Sequence, residues 1–78
     1  MIIKILGTGC PKCKTLEARI AELTTANGIN CEIEKITDLN EIMNYGVMMT
    51  PGLVINDQLK SAGNVPGEKQ LLEWLKED

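Results

Sequence analysis

Two rhythms of apolar and polar residues run along this chain, one of two positions and one of three to four. Ile2 to Leu6 is an apolar run interrupted only by Lys4, which predicts a short strand; Gly7-Thr8-Gly9 is too rich in glycine to continue a sheet. From Pro11 to Ala26, Cys13, Leu16, Ile20 and Leu23 recur at the spacing of one helix face, with Glu17, Arg19 and Glu22 on the others. Pro11 suits a first helical position, and Asn27-Gly28 supplies a left-handed stop. Ile29, Cys31 and Ile33 then alternate with Asn30, Glu32 and Glu34, the pattern of an edge strand with one buried face.

Asp38 followed by Glu41 resembles a capping box ahead of Leu39, Ile42 and Met43, so a second helix is expected to run to about Tyr45 and stop at Gly46. Leu53-Val54-Ile55 and Leu59-Lys60-Ser61-Ala62 flank Asn56-Asp57, a pair that tolerates positive backbone torsions, and so read as an antiparallel hairpin. Beyond Gly63 to Gly67, the residues Glu68, Leu71, Leu72 and Leu75 mark a final amphipathic helix that ends in Lys76-Glu77-Asp78. The order is β-α-β-α-β-β-α. A strand-helix-strand crossover of this length implies a parallel pair with the helix over one sheet face. The fold class is therefore α/β, a four-stranded mixed sheet with helices on both faces. No repeat, linker or shift in composition divides the chain, so residues 1–78 are expected to form one domain.

Composition narrows the function. Hydrophobic residues make up 44% of the chain with no Phe, one Tyr and one Trp, so Ile, Leu, Val, Met and Ala must build the core, with Tyr45 and Trp74 as packing residues. A net charge of -3 works against binding a phosphate backbone, which depends on clustered Lys and Arg; nucleic acid is not an expected partner. Met1-Ile2-Ile3 is too short a run for a signal-peptide core or a membrane span, which makes the cytoplasm the default location and excludes a membrane role.

Three cysteines in a chain of this kind suggest chemistry rather than a disulfide framework, and the absence of His removes the commonest general base and metal ligand together. Cys10-Pro11-Lys12-Cys13 falls where a strand hands over to a helix. There the Cys10 sulfur meets unpaired backbone N–H groups and the positive end of the helix dipole, both of which favour thiolate over thiol. Cys13 lies a helical turn deeper, placed to resolve a mixed disulfide formed on Cys10. Pro11 fixes one torsion between the two cysteines. Lys12 and Lys14 add positive charge, to lower the Cys10 pKa and steer acidic partners or simply as solvated charge. Structural zinc would need four ligands from a chain with three cysteines and no His, so no metal or cofactor is expected. The alternative use of the same pair is linear coordination of Cu(I) by two thiolates, in a soft-metal transfer module. Cys31, on an apolar strand face, is expected in the core. Met48 and Met49 suggest a soft collar around the cysteines, with one of them filling the core.

Gly9-Cys10-Pro11-Lys12-Cys13 after an early strand, the stretch Tyr45 to Ile55 with Thr50-Pro51 inside it, and Ser61-Ala62-Gly63-Asn64-Val65-Pro66 together resemble the small thioredoxin- and glutaredoxin-like proteins, in particular the redox-active disulfide protein 2 group. The resemblance spans nearly the whole chain. It implies a minimal thioredoxin fold and a thiol-disulfide oxidoreductase with Cys10 and Cys13 as catalytic residues. It also implies a cis Thr50-Pro51 bond facing them, and substrate contacts from Thr50, Pro51, Pro11 and Lys12. The implied substrates are protein or small-molecule disulfides, met by a monomer. Thioredoxin proper has Trp before its cysteine pair and a buried Asp beneath it, whereas Gly9 precedes Cys10 here and Lys4 is the only charged residue of the first strand. The proton acceptor for Cys13 is thus unassigned. Gly63-Asn64-Val65-Pro66 stands where glutaredoxins have the glutathione-holding Gly-Gly-x-Asp, and the resemblance implies a thioredoxin-reductase-like flavoprotein as electron donor.

Overall fold

The computed structural model describes residues 1–77, so Asp78 of the expected charged tail lies outside the described residues. Its elements are β1 (Ile2–Leu6), α1 (Pro11–Ala26), β2 (Glu32–Ile36), α2 (Leu39–Asn44), β3 (Gly52–Ile55), β4 (Gln58–Ala62) and α3 (Glu68–Lys76). The strands form one sheet in the order β2-β1-β3-β4. β1 pairs in parallel with β2 and antiparallel with β3, and β3 pairs antiparallel with β4, giving the mixed sheet that the element order predicts.

Alternation along the two central strands sorts their side chains onto opposite faces. Ile3, Ile5, Leu53 and Ile55 point to one face, where Leu16 and Ile20 of α1 and Leu71 and Leu75 of α3 bury them. Leu6 and Val54 point to the other, under Ile42 of α2 and Val47. Lys4 shares that second face, and its ammonium donates to the Tyr45 hydroxyl at 2.8 Å. It sits 5.5 Å from the ring centroid, beyond the hydroxyl rather than over the ring, so the contact is a hydrogen bond.

The hairpin turn is as expected: Asn56 and Asp57 carry φ of 49° and 66°, the left-handed pair of a two-residue turn. Elsewhere the structure moves some boundaries. β2 begins at Glu32 rather than Ile29, because the Ile29 N–H donates to Thr24 O at 2.9 Å and still belongs to the closure of α1. Ile29 and Cys31 therefore approach the core from its margin. Cys31 is half-buried against it, short of the full burial expected, and Ile33 on the edge strand is exposed.

Asp38 caps α2 by accepting the Asn40 N–H at 2.8 Å, but of the apolar residues there only Ile42 is buried; Leu39 and Met43 face outward. Neither Met48 nor Met49 fills the core. Val47 takes that place, packed so tightly on the sheet that a Cβ added at Gly52 would come within 3.0 Å of it, while Met48 and Met49 are 95% and 69% exposed. Among the described residues, no helix is long and apolar enough to cross a membrane.

Candidate active site

The site assembles where β1 ends and α1 begins. Gly9, at φ 89°, turns the chain into Cys10, which has extended torsions and occupies the N-cap of α1 with Pro11 in the first helical turn. The helix leaves its first N–H groups without carbonyl partners, and one of these, from Cys13, donates to Cys10 Sγ at 3.3 Å. No acidic residue stands in this first turn to oppose the helix dipole. Lys12 and Lys14 are exposed around it.

Cys10 and Cys13 are joined as a disulfide with Cα atoms 5.1 Å apart. Their environments differ as expected: Cys10 is partly open to solvent and Cys13 is buried. Gly7 lies against Cys13 so closely that a Cβ there would overlap its Sγ, so the end of β1 forms the floor beneath the dithiol.

The Thr50-Pro51 peptide bond is cis. Thr50 Oγ1 lies 4.0 Å from Cys10 Sγ, and because a disulfide sulfur carries no proton, the hydroxyl is the donor. Pro51 is buried, and its carbonyl accepts the Gly63 N–H at 2.9 Å, which ties the segment after β4 to the prolyl turn. Of the residues singled out from sequence, Cys10, Cys13, Pro11 and Thr50 thus meet at one place. Pro51 supports that place from inside the fold, and Lys12 stands on its solvent side.

Two clefts open at this end of the fold, one ending at Thr50 and the other reaching Cys13. One, of about 510 Å³, is lined by Leu39, Ile42, Met43, Val47, Met48 and Thr50, so an apolar groove leads from α2 to the residue beside Cys10. The other, of about 170 Å³, reaches Cys13 between Gly7, Lys14, Glu17, Lys35 and Thr37. An ion pair at 3.2 Å between Lys35 and Glu17 spans it.

The chain's likeness to known proteins agrees with this geometry. The family model described as Thioredoxin domain matches residues 1–76. The chain belongs to the thioredoxin family. A thioredoxin of Methanocaldococcus jannaschii is 38% identical over 76 residues, spanning 97% of this chain and 87% of that protein. A thioredoxin of Methanothermobacter thermautotrophicus is 37% identical over 75 residues, spanning 96% and 97%. Among solved structures, a malaria-parasite thioredoxin-2 superposes with a TM-score of 0.72 at 17% identity, over 99% of this chain and 82% of its own, and so supports the fold. Family and fold together make this thioredoxin-family chain a thiol-disulfide oxidoreductase.

Sequence reasoning did not single out Gly7, Glu17 or Lys35. Glu17 follows Cys13 by four positions, so it stands one turn along from Cys13 at the margin of the apolar face. Lys35 reaches the same cleft only because β2 pairs with β1 in the register Ile5↔Lys35.

Proposed function

We propose that this thioredoxin-family protein reduces protein or small-molecule disulfides, with Cys10 as the nucleophile and Cys13 as the resolving thiol. The observation that carries this reading is the half-exposed Cys10 sulfur at the mouth of α1, accepting the Cys13 N–H and facing Thr50, with Cys13 buried behind it. In the reduced protein, that N–H and the helix end favour the Cys10 thiolate. The thiolate attacks a substrate disulfide, one substrate sulfur leaves, and a mixed disulfide forms on Cys10. Cys13 then attacks Cys10 Sγ, releasing the second substrate thiol and regenerating the intramolecular disulfide.

The Thr50 and Pro51 turn presents backbone against which an extended substrate segment pairs, while Pro11 and Lys12 flank the approach. The groove of Leu39, Met43 and Met48 takes apolar side chains next to the target disulfide, and flexible methionines suit varied partners. A thioredoxin-reductase-like flavoprotein returns the electrons, in keeping with the thioredoxin relatives, and the protein works in the cytoplasm as a monomer of one domain without a cofactor.

Turnover of an insulin-type disulfide by the wild type, Cys10→Ser and Cys13→Ser tests the assignment. Both substitutions are expected to abolish catalytic turnover, and equal rates in all three would remove it. The soft-metal alternative uses the same two sulfurs. Among the described residues no group of three or more Cys, Asp or Glu gathers to hold an ion, but Cu(I) needs only two thiolates, so anaerobic competition with a chelator is the control.

A further inference from the structure

Resolution of the mixed disulfide requires Cys13 to lose a proton, and Cys13 is buried. β1 offers no carboxylate beneath it, since Lys4 is its only charged residue and lies on the opposite sheet face, bonded to Tyr45. Among the described residues, the charged groups that share a cleft with Cys13 are Lys14 and Glu17 of α1 and Lys35 of β2; Ile5, Gly7, Thr8, Gly9 and Thr37 complete the lining without a titrating group. Of these, Glu17 alone is a base. Its spacing of four residues from Cys13 sets the two side chains one above the other, and the cleft of about 170 Å³ has room for a few waters at about 30 Å³ each. Lys35, from the neighbouring strand, holds the Glu17 carboxylate at 3.2 Å. An exposed pair of this kind contributes little to stability, which leaves its position over the Cys13 cleft as its notable property.

We propose that Glu17 accepts the Cys13 proton through water in this cleft as Cys13 attacks the mixed disulfide on Cys10. The inference rests on the division of labour between Cys10 and Cys13 proposed above. In the step, the S–H bond of Cys13 breaks and its proton passes to the Glu17 carboxylate. The Cys13–Cys10 sulfur bond forms as the bond from Cys10 to the substrate sulfur breaks, and the substrate leaves as a thiolate. Glu17 returns the proton to solvent or to that thiolate. Two electrons pass from the dithiol to the substrate, and no further reactant is needed.

An aromatic disulfide whose thiolate is coloured, such as dithionitrobenzoate, separates the two steps in one stopped-flow trace. Attack by Cys10 releases the first thiolate, and resolution by Cys13 releases the second. Glu17→Gln is expected to leave the first phase unchanged and to slow the second about tenfold near neutral pH, below the usual range for a general base because the proton travels through water. Without an internal acceptor, the second phase of Glu17→Gln rises with thiolate fraction, about tenfold per pH unit between about pH 6 and pH 8, whereas the wild-type second phase is shallower. Lys35→Met breaks the same ion pair but keeps the base, and is expected to stay within about threefold of wild type. A second phase in Glu17→Gln with wild-type rate and pH slope would overturn the assignment, as would an equal slowing in Lys35→Met, which would make the effect one of the ion pair. Absence of a first phase in the wild type would instead sink the proposed function itself.

Discussion

Replacing Gly7 by alanine adds one methyl group at the most crowded point beneath the dithiol. A Cβ there overlaps Cys13 Sγ and comes within 3.2 Å of Cys13 Cβ, with Thr50 Cβ 3.8 Å away. The backbone cannot slide to relieve this, because the Gly7 N–H is bonded to Ile36 O at 2.9 Å in continuation of the β1-β2 ladder. Overpacking of this kind costs about 1–3 kcal/mol. The φ of Gly7 lies outside the left-handed region, so alanine also restricts the unfolded chain, which offsets the cost by about 0.4–1 kcal/mol.

The net loss is about 1–2 kcal/mol, and for a domain of this size each kcal/mol lowers the midpoint by about 4–8 °C, so Gly7→Ala is expected to melt about 5–15 °C below wild type. The loss should be larger in the oxidised protein than in the reduced one, where the Cys13 sulfur can rotate away from the new methyl. Thermal unfolding followed by Trp74 fluorescence, with and without a reductant, measures both. Equal midpoints for wild type and Gly7→Ala in both redox states would show that there is free space under Cys13, and the account of the site floor would be wrong.

Ile20 is fully buried between α1 and the sheet, so Ile20→Ala is expected to cost about 2–5 kcal/mol in urea unfolding, against a negligible change for Ala18→Ser on the exposed face of the same helix. The Tyr45 hydroxyl, aided by the charges of Asp57 and Glu34, holds the Lys4 ammonium above its ordinary value of 10.5. A raised folded-state value means that this contribution to stability is complete below about pH 10.5 and is lost as the pH climbs through the folded value. Tyr45→Phe is therefore expected to bring the Lys4 titration, followed by NMR at its side-chain carbon, back toward the ordinary lysine range; an unmoved titration would contradict the hydrogen bond as the cause.

Much of the fold was legible because most of its elements bury one regular stripe. Cys13, Leu16 and Ile20 on α1 and Leu71 and Leu75 on α3 carry that stripe plainly, and Asn56-Asp57 needs its left-handed torsions for the hairpin. β2 was misplaced because Ile29, Cys31 and Ile33 alternate like a strand face, yet the backbone bond from Ile29 to Thr24 keeps the first of them in the helix closure. Period alone cannot report such a competition between cap and ladder. Met48 and Met49 misled for a related reason: an apolar residue reads as core unless a neighbour, here Val47, already fills the space.

At the site, the cysteine spacing and the helix start were visible locally, whereas the approach of Thr50 to Cys10 across 40 positions of sequence rested on resemblance. The floor at Gly7 and the cleft of Glu17 and Lys35 depend on strand register and packing, which no local pattern encodes.

The most direct test of the account is to trap its intermediate. Incubating reduced Cys13→Ser with a disulfide substrate should leave a stable adduct, and peptide mapping by mass spectrometry should place the substrate sulfur on Cys10 alone. An adduct on Cys31, or equal trapping on Cys13 by Cys10→Ser, would contradict the assignment of the half-exposed sulfur at the head of α1 as the attacking group.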